Sequence, residues 1–272
     1  MNEEQADINL KPELQDLFPP DTYYTYKTIG DMELNLHVFN PPNHQAGDKT
    51  PAAIFFFGGG WHGGSPRQFY PFAREMSNRG MVAICAEYRT KINGGVAPYE
   101  CLKDAKNAIR WCRQNAEMLG IDPDKFAAGG GSAGGHLAAA CAIIDEFNHE
   151  DDDCSVSCVP DALLLFNPVV DNSPDGYGYD RLQERYTDFS PLHNISAKTP
   201  VSLFLVGELD TAIPPASAEK FKAAVEAHGG ECELHIYKGV EHGFFNYSRP
   251  GGYYEKTLAT LLDFLKKHGF IR

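Results

Sequence analysis

Four short runs in this chain are apolar without a break: Ala52-Ala53-Ile54-Phe55-Phe56-Phe57, Met81-Val82-Ala83-Ile84-Cys85-Ala86, Ala162-Leu163-Leu164-Leu165-Phe166 and Val201-Ser202-Leu203-Phe204-Leu205-Val206. A strand with one wet face alternates polar and apolar residues. A short continuous run means that both faces are covered, as in a parallel sheet. Between the runs the apolar residues recur at steps of three and four, as in Cys101, Ala105, Ala108, Ile109, Cys112, Ala116 and Leu119. Ala218, Phe221, Ala224 and Val225 repeat the pattern, and so do Tyr254, Leu258, Leu261, Leu262 and Leu265. Each such stretch predicts a helix with one apolar face. Alternating strands and helices predict an α/β fold: a mainly parallel central sheet, right-handed crossovers and helices on both faces. Two runs alternate instead. Glu33–Phe39 reads as a half-exposed strand, and Glu231–Tyr237 as a strand near the sheet edge. No repeat or shift of composition divides the 272 residues, so a single domain is expected over 1–272, with residues 1–22 as a surface arm.

The chain carries 37 acidic and 24 basic residues, a net charge of −13. That balance, with no basic cluster, excludes a nucleic-acid binder, whose phosphate contacts need grouped Lys and Arg. No apolar run approaches the roughly 20 residues that span a bilayer. The start, Met1-Asn2-Glu3-Glu4-Gln5, lacks the basic and apolar parts of a secretory signal. A cytoplasmic protein is expected, or a secreted one if a signal was removed before this numbering begins. The 7 cysteines form no framework and read mostly as buried thiols; Cys154 and Cys158 lack the second half of a zinc motif. Glu146–Cys158 holds His149-Glu150-Asp151-Asp152-Asp153, read as a solvated acidic loop rather than a metal site. Asp171–Ile195, rich in Gly, Pro, Tyr and Asp, is too long for a plain connection and reads as a cap insertion.

Gly130-Gly131-Ser132-Ala133-Gly134-Gly135 follows the short strand Lys125–Ala128 and opens an Ala-rich helix over 133–144. Gly-x-Ser-x-Gly between strand and helix is the nucleophile elbow, a turn so tight that a flanking Cβ would clash. No Lys follows in the pattern of a phosphate-binding loop. A serine hydroxyl needs a base, and in this arrangement the chain order is Ser, acid, His. His242, in Gly239-Val240-Glu241-His242-Gly243-Phe244 after the strand ending at Tyr237, is the expected base. Asp210, in the loop after Val201–Val206, is the expected acid, with Glu208 as its rival. His136 is expected to buttress loop packing. The oxyanion donors expected are Ala133, after the nucleophile, and Gly59 and Gly60 from Phe57-Gly58-Gly59-Gly60-Trp61. Trp61 either lines the substrate pocket or packs in the core.

These residues resemble the α/β-hydrolase superfamily, and within it the hormone-sensitive-lipase-like and acetyl-xylan or feruloyl-esterase-like members. The resemblance runs from about Glu33 to the C-terminus. It rests on Gly58-Gly59-Gly60-Trp61, Glu87-Tyr88-Arg89, Ile121-Asp122-Pro123, Ser132-Ala133-Gly134-Gly135-His136-Leu137-Ala138, Asp210 and His242-Gly243-Phe244. It implies a serine esterase that needs neither metal nor cofactor and takes a small-molecule or carbohydrate ester with a short acyl group. Relatives usually begin the glycine loop with His, which organises it; here the residue is Phe57. The alternatives are a general carboxylesterase or lipase, a peptidase of the prolyl-oligopeptidase type, for whose propeller the chain has no room, and a non-catalytic binding protein on the same scaffold.

Overall fold

The computed structural model describes residues 13–272; the first twelve positions of the expected arm lie outside the described residues. Of that arm, Glu13–Leu17 forms helix α1, with Leu14 buried, and strand β1 begins at Thr22. In chain order follow β1 (Thr22–Ile29), β2 (Met32–Phe39), β3 (Thr50–Phe56), a 3-10 turn at Pro66–Phe69, α2 (Tyr70–Ser77), β4 (Val82–Ala86), α3 (Lys91–Gly94), α4 (Pro98–Gln114) and α5 (Ala116–Leu119). The second half holds β5 (Ile121–Gly131), α6 (Ala133–Ile143), β6 (Ala162–Phe166), α7 (Tyr179–Leu182), α8 (Tyr186–Phe189), α9 (Pro191–Asn194), β7 (Val201–Gly207), α10 (Pro215–Ala227), β8 (Cys232–Tyr237) and α11 (Tyr253–Lys267).

One sheet runs in the order β1-β2-β4-β3-β5-β6-β7-β8. β2 lies antiparallel to β1 and β4, and every later pairing is parallel. The four continuous apolar runs are β3, β4, β6 and β7, all inside the sheet with helices on both faces. Ile54 and Phe56 of β3 point to the face covered by α4, α6 and α10, while Ala53 and Phe55 point to the face covered by α2 and α11. β8 is the edge strand its alternation predicts, and β2 is not the half-exposed strand expected. From Leu36 to Phe39 it is buried on both faces, because it is paired on both sides and covered above and below. The long periodic run over 101–119 is cut into α4 and α5 at Asn115, where φ is −106°. Gly120 then ends α5 in the left-handed region, at φ +62°.

The acidic loop is not wholly solvated. The Asp152 carboxylate is buried and takes hydrogen bonds from Arg110 Nη1 and Asn107 Nδ2, both at 2.7 Å, so it ties the loop to α4. Among the described residues no group of three His, Cys, Asp or Glu could hold a metal, and no helix is long and apolar enough to cross a membrane. All seven cysteines are free; Cys154 is exposed and the other six are buried.

Candidate active site

The carboxyl ends of β3, β5, β6, β7 and β8 carry the loops that converge. At the end of β5, Ser132 sits at φ +52°, ψ −118°, a left-handed backbone unusual for a side-chain-bearing residue. It is pinned there on both sides. Its N–H donates to Phe166 O at 2.9 Å, and its carbonyl accepts from the N–H groups of His136 and Val169 at 3.0 and 3.1 Å. Ala133 starts α6 directly behind it, so the helix N-terminus faces the same space. Gly134 fits because a Cβ there would lie 2.0 Å from Phe56 O.

The loop after β7 folds back on the loop after β8. Glu208 and Leu209 donate their N–H groups to Tyr237 O and Val240 O. Asp210 is 3% exposed. One carboxylate oxygen accepts from the N–H groups of Ala212 and Ile213 at 3.0 and 2.8 Å; the other lies 2.7 Å from His242 Nδ1. Three donors converge on one buried carboxylate, which fixes its position and compensates its desolvation. Glu208 instead accepts from Gly239 N–H at 2.9 Å and holds the turn before His242. His242 is thus clamped to Asp210. Among the described residues Ser132 Oγ makes no hydrogen bond to the ring; the group facing Nε2 is Asn167 Nδ2, at 3.5 Å.

The glycine loop after β3 turns sharply, with Gly59 at φ +132° and Gly60 at +61°. A Cβ at Gly59 would lie 2.0 Å from Gly63 O. Phe57, where the resemblance calls for His, is 2% exposed and stacks on Tyr88, with ring centroids 4.1 Å apart. The Tyr88 hydroxyl donates to Phe57 O at 2.6 Å. Stacking and a hydroxyl therefore hold the start of the glycine loop. Gly58 N–H donates to Gln68 Oε1 at 2.7 Å, Gln68 Nε2 donates to Asn246 Oδ1 at 3.0 Å, and Asn246 Nδ2 donates to Gly243 O at 2.8 Å. This buried relay joins the glycine loop to the loop that bears His242.

The segment 171–195 holds α7, α8 and α9 and lies over the glycine loop. Arg181 Nη1 donates to Gly60 O, and its guanidinium lies over the rings of Trp61 and Tyr177 at 5.9 and 5.6 Å. Trp61 is 2% exposed and packs among His136, Tyr177 and Phe189. It also borders a cavity of about 480 Å³ with Gly60, Lys91, Pro98 and Arg181, and none of Ser132, Asp210 and His242 lines that cavity. His136 is fully buried, and its Nε2 donates to Phe189 O at 2.8 Å, tying α6 to α8. Burial lowers its pKa to about 4. Burial also pushes the Cys85 and Cys141 thiols well up, and that of Cys232 to about 12, which leaves these sulfurs protonated and poor nucleophiles at neutral pH.

Sequence reasoning missed Gln68, Asn167, Arg181 and Asn246 as parts of this neighbourhood, and quoted Tyr88 only within a motif, without its contact to Phe57. Asn167 alone left a local signal. It follows an apolar strand directly and is of a type that tolerates a left-handed backbone.

A fold of this topology, with a serine at the elbow and a His–Asp pair on the last two strand loops, is that of the α/β-hydrolases. Comparison with known proteins agrees. The BD-FAE family model matches residues 36–174, and the dienelactone hydrolase family model matches 177–268. Esterase LipC of Mycobacterium tuberculosis is 28% identical over 223 residues, which cover 72% of this chain and 53% of that protein. Isoprenylcysteine alpha-carbonyl methylesterase ICME of Arabidopsis thaliana is 24% identical over 238 residues, 78% of this chain and 55% of that protein. The chain thus spans about half the length of the curated relatives it matches. Thermogutta terrifontis esterase 2 phosphoramylated by tabun superposes with a TM-score of 0.89 at 38% identity, covering 93% of this chain and 97% of that one. Its propionate-bound form gives 0.88 at 38% identity, covering 93% of this chain and 96% of that one. The chain belongs to the BD-FAE family of α/β-hydrolase serine esterases.

Proposed function

We propose that this protein hydrolyses carboxylic esters of short acyl groups, with an acetylated or feruloylated carbohydrate as the alcohol-bearing partner. The observation that carries the reading is the His242 Nδ1–Asp210 contact of 2.7 Å beside the left-handed turn at Ser132. Ser132 Oγ attacks the ester carbonyl while its proton passes to His242 Nε2. Asp210 holds the ring and stabilises the imidazolium. The N–H groups of Gly59, Gly60 and Ala133 take the negative charge that grows on the carbonyl oxygen. The carbon–oxygen bond to the alcohol breaks, the alcohol leaves with the proton from Nε2, and water repeats the sequence on the acyl-enzyme.

Two observations favour a small acyl group. Trp61, Tyr177 and Arg181 close over Gly60, and Thermogutta terrifontis esterase 2 has been solved with propionate and with butyrate. The tyrosines of the cap, Tyr177, Tyr179 and Tyr186, offer apolar faces with polar tips, suited to a sugar. The test is an ester ladder from acetyl to octanoyl, run beside Ser132→Ala and fluorophosphonate labelling. Ser132→Ala should lose at least about 10⁴ in kcat, and the label should sit on Ser132 alone. Acetyl and propionyl esters should exceed octanoyl by about tenfold in kcat/KM, about 1.4 kcal/mol. A long apolar trough would give the opposite slope, since each buried methylene adds about 0.8 kcal/mol. A rate rising from C2 to C8 would refute the short-acyl reading.

A further inference from the structure

The His242 ring is held at both nitrogens. Asp210 Oδ2 is 2.7 Å from Nδ1, and Asn167 Nδ2 is 3.5 Å from Nε2. Asn167 is 1% exposed and stands just past β6 at φ +36°, a region few side-chain-bearing residues enter and Asn tolerates. Its N–H donates to Leu205 O at 2.6 Å, which pins it across to β7. A third contact fixes which end of its amide meets the ring. Gly243 N–H donates to Asn167 Oδ1 at 3.0 Å, so the oxygen faces Gly243 and the NH₂ group faces His242. An NH₂ group only donates, so Nε2 accepts; a carboxylate only accepts, so the ring proton is on Nδ1. Two partners on opposite edges of the imidazole specify the same tautomer.

We infer that Asn167 is a positioning residue for His242: its amide holds Nε2 bare and aimed between turnovers, and gives it up to the Ser132 hydroxyl when an ester binds. The inference rests on the triad reading above and goes beyond it. Asp210 alone fixes the proton on Nδ1 but leaves the ring free to swing about that bond. The second contact removes the swing. It is long for a hydrogen bond, so an arriving hydroxyl displaces it readily.

The test is Asn167→Asp. Asp also tolerates the left-handed backbone, and it keeps an oxygen for Gly243 N–H. Only the donor facing Nε2 becomes an acceptor. A residue that merely props the Gly243 turn would survive the change. A residue that keeps Nε2 bare would not, because a carboxylate there draws a proton onto it. Nitrogen-15 NMR of the imidazoles, with the His242 signal identified by its loss in His242→Gln, reads this directly. The wild type should show a protonated Nδ1 and a bare Nε2 at pH 7.5, and Asn167→Asp should show both nitrogens protonated. kcat/KM on a propionyl ester at that pH should fall at least about tenfold and return as the pH is raised, while KM stays within about twofold. If Asn167→Asp fails to fold, Asn167→Gly keeps the backbone conformation; its His242 should stay protonated on Nδ1, held by Asp210, but give the broadened signals of a ring that swings, with kcat lowered and KM within about twofold. A wild-type ring protonated on Nε2, or an Asn167→Asp protein that matches wild type in spectrum and rate, overturns the inference. A wild type inert toward every ester would refute the esterase reading instead, and the NMR experiment would still judge Asn167.

Discussion

Gly134→Ala tests whether the elbow and the glycine loop are held apart by one missing methyl group. Gly134 is the second residue of α6, where Ala is ordinarily the better helix former by about 1 kcal/mol. Here its Cβ would stand 2.0 Å from Phe56 O and 2.4 Å from Phe57 O. Ordinary contact begins near 3.4 Å, so the gap has to widen from 2.0 Å to that distance. Neither obstacle is the tip of a flexible side chain. Phe56 ends β3 within the sheet, and the Phe57 carbonyl is held by Tyr88. Overpacking of this kind costs about 1–3 kcal/mol, and two rigid backbone neighbours put it at the upper end. Set against the helix gain, the net loss is about 2 kcal/mol, or roughly 4–8 °C in Tm for a chain of this size. The kinetic effect should be larger in proportion. The widened gap separates Ser132 from the loop of Gly59 and Gly60, and a misplacement of about 1 Å costs about 10² in rate. The assay is kcat on a propionyl ester together with a melting curve. The control is Gly229→Ala, where φ is +81° and no atom lies within 4 Å of the added Cβ. Backbone strain there should lower Tm by a similar amount and leave kcat intact. A Gly134→Ala protein within threefold of wild-type kcat would refute the argument.

Asp210→Asn should lower kcat by about 10⁴, because an amide can hold His242 in the wrong tautomer; Glu208→Gln, whose amide oxygen still accepts from Gly239 N–H, should stay near wild type. Reversed effects in steady-state kinetics would move the acid to Glu208. His136 should shape acid stability. Burial lowers it to about 4 in the folded chain, below the unfolded value near 6.5, so the unfolded chain takes up the proton first as pH falls. Stability present above pH 6.5 is therefore lost between about 6.5 and 4, by about 3 kcal/mol. His136→Asn should flatten that part of the Tm–pH curve, and equal slopes in the two proteins would contradict it.

The strands and helices were legible because burial on two faces and on one face leave different periods. The triad candidates were legible for another reason: a nucleophile, an acid and a base must follow particular strands in a fixed order. The partners of Asn167, Gln68 and Asn246 were not legible, although the place of Asn167 after a strand left a local signal. Each makes ordinary amide hydrogen bonds, and its partner is set by the packing of distant loops rather than by anything nearby in sequence. The burial of β2 was misread because alternation over 33–37 hides the second helix layer that covers its later half. Asp152 was misread because a run of charges looks solvated until the one residue that meets Arg110 is known. Phe57 looked like a loss of support for the glycine loop; only the position of Tyr88 shows that its ring and carbonyl are held.

The bridge between Gln68 and Asn246 also sets an order in time. These residues lie 178 positions apart in the chain. At about 5–20 residues per second, roughly 10–35 s of synthesis separates them. The glycine loop is already made when that interval begins; the serine turn and then the acid loop emerge within it, and the strands that carry them can already pair. Gln68 waits without its partner until the loop that also carries the histidine is complete. A nascent chain therefore holds its nucleophile long before it can use it, and the same late segment that brings the base also fastens the first loop of the site.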